Sequence, residues 1–251
     1  MTADSIVDYT REDCNPGWAA VLVSRRLVLG GAMTGQSVLM LSALSIGAVH
    51  TVVGPDHYIP FVVLARASNW SLLRTLVITA LCGVGHVLSS VLIGVVGVAA
   101  GLAVTSVAGV EEQRGLIATW TLIGFGLAYG VWGVWKGLKG HAHTHGHGLE
   151  HGHEPHDVSR AVWWLFIVFV LGPCEPLIPL LMYPAAEHDW TTLVLVTATF
   201  GVVTVLTMLV LTTLGWLGVR AIRLGFMERF VHALAGGVLA LSGVVVMALD
   251  V

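Results

Sequence analysis

The sequence predicts an all-α integral membrane protein whose six transmembrane helices form a 3+3 inverted repeat with Gly-Pro-broken helices. Of its 251 residues, 56% are hydrophobic and only 11% are charged, whereas an average globular chain has about 25% charged residues. The mean hydropathy is +0.85, and several apolar runs reach the roughly 18 residues that suffice to cross a hydrocarbon core. Such runs form helices, because a helix satisfies every backbone group within its own segment. A soluble globular domain is excluded.

Six apolar runs define the predicted spans, and four segments define the organisation of the chain. The spans cover residues 35–55, 72–100, 116–137, 161–183, 190–217 and 230–249. The segments are a polar or interfacial N-terminal stretch, 1–34, a first three-helix repeat, 35–140, a His-rich loop, 141–159, and a second three-helix repeat, 160–251.

The charges of the connections predict the orientation of the chain. Lys and Arg residues concentrate in the first, third and fifth connections, so these loops are expected on the cytoplasmic side of the cell membrane. The second connection, with Glu111, Glu112 and Arg114, and both termini are then expected outside. A net charge of −3 provides no basic field for nucleic acid.

An internal repeat at a constant offset of 118 residues relates the two halves. Residues 54–60 align with 172–178, and residues 79–88 align with 197–206 with six identities in ten. Because each half then holds an odd number of spans, the second half enters the membrane upside down relative to the first. This inverted repeat is the architecture of many secondary transporters.

Helix breaks are predicted at equivalent places of the two halves. Gly54-Pro55 and Gly172-Pro173 each combine a flexible glycine with a proline that lacks the N–H of a helical hydrogen bond. Broken helices at matching positions mark a binding site near the middle of the membrane. These four residues are therefore candidate hinges.

Side chains that can bind a metal follow each break. They are Asp56 and His57 in the first half, and Cys174 and Glu175 in the second. An ionised aspartate at the bilayer centre costs about 2.5–3.5 kcal/mol on insertion scales. A divalent cation held by these residues would offset that cost, so they are candidate metal ligands.

Two further histidines can join this site. His50 precedes His57 by seven residues, which is about 10.5 Å along a straight helix and too far for one ion. The break at Gly54-Pro55 removes that objection, and His86 on the next span could complete the set. Imidazole and carboxylate ligands suit Ni²⁺, Co²⁺ or Zn²⁺ rather than Mg²⁺ or Ca²⁺. A purely structural alternative for His86 is a hydrogen bond to a neighbouring helix.

The third connection is rich in histidine. It contains His141, His143, His145, His147, His151, His153 and His156. Such tracts bind transition metals through neutral imidazoles, and the interleaved glycines prevent a packed core. We expect the tract to collect metal and the intramembrane site to select it; a solvated linker or a pH-responsive segment is the alternative.

The run from His50 to His57, followed by Gly85-His86, resembles the His-spacer-Asp-His signature and second-helix histidine of the nickel/cobalt transporter superfamily, including its urease-associated relatives. The resemblance implies permeation of nickel or cobalt with His50, Asp56, His57 and His86 as ligands. It covers the first two spans. The sequence departs from the common pattern in having five residues, instead of four, between the first histidine and the aspartate.

A second and more distant resemblance is to membrane thiol-disulfide electron carriers, which have a proline-flanked cysteine like Cys174. Those proteins need a cysteine in each half, because electrons pass through a reversible disulfide. The position equivalent to Cys174 is Asp56, so Cys82, otherwise a packing residue, is its only available partner.

These features predict a transporter and not an enzyme. A divalent metal, most readily nickel or cobalt, would cross by alternating access; a cytoplasmic histidine tract favours efflux over uptake. A thiol-disulfide electron carrier and a metal sensor without a conduit are the alternatives. The expected partners are the metal ion and the lipid bilayer, with a homo-oligomer or a metallochaperone left open.

Overall fold

A computed structural model describes residues 35–101, 103–139, 155–222 and 225–249, and within these ranges the chain is helical without strands. The α-helices are α1 Gly35–Val53, α2 Ile59–Ala67, α3 Leu72–Ala99, α4 Val104–Lys139, α5 Pro155–Leu171, α6 Leu177–Ala186, α7 Trp190–Ala221 and α8 Val231–Leu249. The chain divides into two compact units, Met1–Val38 and Leu39–Val251. Of the first unit only the opening turn of α1 is described, and everything below concerns the second.

In the described part of the chain, five helices are long and apolar enough to cross a membrane. They are Gly35–Val53, Leu72–Ala99, Thr105–Lys139, Trp190–Ala221 and Glu228–Ala248. Large apolar side chains on these helices are exposed, among them Leu81, Val131 and Leu214, as expected of surfaces that face lipid. The protein is therefore a multi-pass membrane protein.

The fourth predicted span, residues 161–183, is not one continuous helix. The chain forms α5 and α6, which are separated at Gly172 and Pro173, and each is shorter than the helices that can cross on their own. Pro173 cannot donate the hydrogen bond that would continue α5. The helix break expected there is present, whereas six separate spans are not confirmed.

Helices α4 and α8 pack with their backbones in close contact through small residues. A Cβ atom added at Gly126 would lie 2.4 Å from the Ala240 nitrogen, and one added at Gly236 would lie 2.2 Å from the Gly130 nitrogen. Gly133 approaches Ala233 in the same way. Small residues spaced along both helices are a common means of close packing in membranes, where apolar burial alone gives little driving force.

The helix boundaries follow the same 118-residue offset as the sequence repeat. Helices α1 and α5 end at Val53 and Leu171, α2 and α6 begin at Ile59 and Leu177, and α3 and α7 begin at Leu72 and Trp190. Both α3 and α7 start with a capped turn: the Ser71 side chain accepts from the Arg74 N–H, and the Asp189 side chain accepts from the Thr192 N–H. The hydrogen bonds from Thr192 hold the pKa of Asp189 below its usual value.

Candidate metal centre

The first break folds the chain back so that two histidines of one segment meet. Gly54 leaves the helix with an extended backbone (φ −80°, ψ 99°), and Pro55 opens a single 3-10 turn that ends at His57. The ring centroids of His50 and His57 are 4.8 Å apart. A Cβ atom at Gly54 would lie 2.5 Å from His57 Nδ1, so this arrangement requires glycine at the break.

Helix α3 brings the third histidine to the same place. The ring centroids of His57 and His86 are 5.2 Å apart, and one nitrogen from each of His50, His57 and His86 lies within 4.8 Å of the other two. His57 and His86 are 4% and 3% exposed. We call these three residues the histidine triad.

Hydrogen bonds to backbone carbonyls, and for His57 also to a carboxylate, determine which ring nitrogen of His57 and of His86 is left to bind a metal. Gly54 O and Asp56 Oδ1 both lie 3.1 Å from His57 Nδ1, and Phe169 O lies 3.2 Å from His86 Nδ1. The backbone carbonyls and the Asp56 carboxylate accept, so in the neutral ring each Nδ1 carries the proton and each Nε2 keeps its lone pair. A metal-binding histidine is oriented in this way by the partner of its other ring nitrogen.

The free nitrogens of the triad are buried without a partner. Within the described residues, no hydrogen bond reaches the Nε2 atoms of His50, His57 or His86. A buried polar atom left unpaired costs roughly 1–3 kcal/mol, and these three atoms belong to rings that each bring one nitrogen within 4.8 Å of the other two. A cation bound between the rings would give such nitrogens a partner.

Asp56 acts on the triad through His57. Its carboxylate accepts the hydrogen bond from His57 Nδ1 and is one-third exposed. It is not among the group of mutually close ligand atoms. In this geometry Asp56, predicted as a ligand, instead orients the imidazole of His57. Its negative charge also makes the ring nitrogen a stronger electron-pair donor to a metal cation.

The triad opens into a cavity of about 950 Å³. Asp56, together with Glu112 of α4 and Glu175 of the second break, also lines this cavity. Both breaks therefore border one cavity. Glu175 thus lines the same cavity as the triad, and its role as a metal ligand stays a prediction.

The structure does not bring Cys174 to the triad. Its side chain is fully buried in an apolar cluster with Ala43, Leu177 and Phe200, and it is absent from the cavity wall. Cys82 packs in a different apolar cluster, and both thiols are free. Cys82 has the packing environment predicted for it, and the two cysteines are not arranged as a pair.

Sequence reasoning missed two residues near the site. Glu111 and Arg114, assigned above to a connection, belong to α4, which begins twelve residues before the predicted span at 116. Glu111 is fully buried and forms an ion pair with Arg114. The available signal was their spacing of three residues, which places both side chains on one face of a helix.

Most of the predicted metal-collecting tract lies outside the described residues. This applies to His141, His143, His145, His147, His151 and His153. The seventh member, His156, falls in the first turn of α5. The chain thus becomes helical inside the segment 141–159 that was predicted to be a loop.

The site has to be interpreted from its own chemistry. No protein-family model, curated protein or solved structure matches this chain. The likeness to nickel/cobalt transporters accordingly remains an expectation from the residues between His50 and His86. What the geometry offers is three imidazoles and a nearby carboxylate in a cavity between apolar helices.

Proposed function

We propose that the protein transports a divalent transition-metal ion, with Ni²⁺ or Co²⁺ as the first candidates and Zn²⁺ as the next, through the histidine triad. The observation that carries the proposal is that one ring nitrogen of each triad histidine lies within 4.8 Å of the other two, while the Nε2 atoms are buried without a partner among the described residues. Neutral imidazoles are the ligands that suit these metals, while Mg²⁺ and Ca²⁺ prefer oxygen.

Transport is favoured over storage by the position of the triad. His57 lies in a helix break between apolar segments, and the second break borders the same cavity at Gly172 and Pro173. Broken helices around a central site are typical of alternating-access transporters. The matching helix boundaries at an offset of 118 residues support two related halves that could rock around the bound ion.

The composition of the site also supports release of the ion. Three imidazoles without a thiolate bind transition metals less firmly than a closed structural site with cysteines, and they leave coordination positions open. Cys174, the softest donor predicted, points into an apolar cluster instead. On the cytoplasmic side, the histidine tract at 141–156 would gather metal, which favours efflux from a protein in the cell membrane.

A flux assay with the full chain in liposomes tests the proposal. Uptake of Ni²⁺, Co²⁺ and Zn²⁺ would be compared for the wild type, for His57→Ala and for a variant lacking residues 141–156. His232→Ala is the matched control, because this histidine is bonded to Tyr129 outside the triad. We expect His57→Ala to abolish flux, the deletion to reduce it, and the control to retain it.

Two results would reject the proposal. Flux that survives His57→Ala would exclude the triad as the transport site. Metal binding that is lost only on deletion of 141–156, with no flux in the wild type, would favour a sensor without a conduit. The thiol-disulfide alternative is not favoured, since Cys82 and Cys174 lie in separate apolar clusters.

A further inference from the structure

An ion pair is buried in a helix that is long and apolar enough to cross the membrane. Glu111 and Arg114 lie near the start of α4, within the candidate span Thr105–Lys139. Glu111 is fully buried, and the Arg114 side chain is 13% exposed. Charged residues in such segments are costly and rarely incidental. The triad does not use either side chain as a ligand, so the pair requires its own explanation.

The pair bonds to three backbone groups at the second break. Arg114 Nη2 donates to the carbonyl oxygens of Val170, at 2.7 Å, and Gly172, at 3.3 Å. Glu111 Oε2 accepts from the Cys174 N–H at 3.1 Å. Carbonyls at the end of a helix have no partner within that helix, and in a membrane they must find one inside the protein. One ion pair supplies partners on both sides of Pro173.

The same pair contacts the helix that carries His86. Ser90 donates to Glu111 Oε2 at 3.0 Å, and Arg114 Nη2 donates to Ser89 Oγ at 2.8 Å. Both serines lie one turn after His86. The ring of His86 is itself bonded to the second break: its Nδ1 donates to Phe169 O, and Phe169 precedes Val170, whose carbonyl accepts from Arg114.

We propose that Glu111 and Arg114 are positioning residues: they clamp the second helix break to α3 and thereby fix the orientation of His86. The segment from Phe169 to Cys174 determines where the acceptor for His86 Nδ1 lies. If the pair is removed, this segment loses its partners and can move, and the His86 ring loses the bond that fixes its tautomer. The consequence for metal binding rests on the proposed function, whereas the clamp itself does not.

The clamp is tested by alkylation of Cys174, whose N–H is bonded to Glu111 and whose side chain is fully buried. Cys82, 1% exposed and outside the network, is an internal reference; Cys14 would be replaced by serine. The rates at which Cys174 and Cys82 react with N-ethylmaleimide would be measured on metal-free protein in liposomes, and the double variant Glu111→Gln/Arg114→Gln would be compared with the wild-type pair. This double variant leaves no unpaired buried charge, so it should fold where single changes fail.

We expect Cys174 to react at least about tenfold faster in the double variant, because one or two hydrogen bonds to charged groups are lost. The reaction rate of Cys82 should not change. Neutralising the more exposed pair, Arg66→Gln/Glu228→Gln, is the matched control and should change neither rate. An unchanged Cys174 rate, or an equal increase at both cysteines, would overturn the clamp.

Cobalt binding tests the effect on His86. The visible absorption spectrum of bound Co²⁺ reports coordination geometry, so the double variant should show an altered spectrum and an affinity about 10–100-fold lower, as expected when an outer-shell support of a ligand is lost. A faster Cys174 reaction with an unchanged Co²⁺ spectrum and affinity would refute the positioning role. If the wild type binds none of Co²⁺, Ni²⁺ and Zn²⁺, the proposed function fails, and the alkylation result still decides the clamp.

Discussion

The two helix breaks occupy equivalent places in the sequence, but they are stabilised in different ways. At the first break the partners are local: the Gly54 N–H donates to His50 O at 3.0 Å, and the Gly54 carbonyl accepts from His57 Nδ1. At the second break the Gly172 N–H also donates locally, to Val168 O at 2.9 Å, but the other partners come from another helix: Arg114 donates to the Gly172 carbonyl, and Glu111 accepts from the Cys174 N–H.

Under the proposed function, this difference gives the two breaks separate roles. The first break carries the triad residue His57 and satisfies its backbone with the same imidazole that can bind a metal. The second break carries Glu175 at the equivalent position, which lines the cavity, and an apolar-packed Cys174. We infer that the first break provides the chemistry of the site, while the second provides a supported wall.

The largest effect, a loss of folding stability, is expected when Glu111 is replaced and Arg114 is left as an unpaired buried charge beside the second break. Glu111→Gln leaves the Arg114 guanidinium buried without its carboxylate, which costs about 3–5 kcal/mol in folded proteins. The free energy of unfolding in mixed micelles would measure this loss. Arg114→Gln added to Glu111→Gln should recover much of it. A single variant as stable as the wild type would contradict the assignment of the pair as a buried support.

A second test compares the glycines of the two breaks. A Cβ atom at Gly54 would lie 2.5 Å from His57 Nδ1, whereas one at Gly172 would lie 3.2 Å from His86 Nδ1. The first contact forces the His57 ring out of place, and the second requires only a small adjustment. We expect Gly54→Ala to weaken Co²⁺ binding by about 100-fold, the upper range for a displaced support, and Gly172→Ala by far less.

Titration calorimetry of the two purified variants would measure this difference. Equal affinities for Gly54→Ala and Gly172→Ala would show that the breaks are interchangeable and would remove the distinction between them. Thermal unfolding of both variants serves as the control, because a general loss of structure would weaken binding without a specific displacement of His57.

Part of this architecture is predictable from the sequence. Apolar runs identify the long helices, and Gly-Pro pairs identify both breaks. The meeting of His50 and His57 follows from their spacing of seven residues and the break between them. These features depend on local composition and on the covalent limits of proline, so no tertiary information is needed.

Other features depend on tertiary contacts. Glu111 and Arg114 interrupt an apolar pattern and resemble a connection, and only the freed backbone groups at Val170, Gly172 and Cys174 explain why they are buried. The direction of the Cys174 side chain likewise depends on the backbone angles after Pro173. Spacing alone cannot give it, so the predicted ligand role of Cys174 had no geometric support.

A third test separates a direct ligand from a residue that acts through His57. Asp56→Asn keeps an oxygen that can accept from His57 Nδ1 but removes the negative charge beside the ring. Because the triad itself is unchanged, we expect Co²⁺ binding to weaken by about tenfold, the lower range for outer-shell changes, with the coordination spectrum preserved. Calorimetry and the visible spectrum would measure both quantities. An altered spectrum would show instead that Asp56 binds the metal directly.

The smallest effect is expected at the surface ion pair between Arg66 and Glu228. Their side chains are 21% and 63% exposed, and the closest atoms are 3.4 Å apart. Exposed pairs typically contribute about 0–1 kcal/mol, since water and salt screen them. Glu228→Gln should therefore lower the free energy of unfolding by less than about 1 kcal/mol, and this loss should shrink further at high salt, whereas the loss in Glu111→Gln should persist. A salt response of equal size in both variants would mean that the Glu111 and Arg114 pair is solvated, and the clamp on the second break would then have no energetic basis.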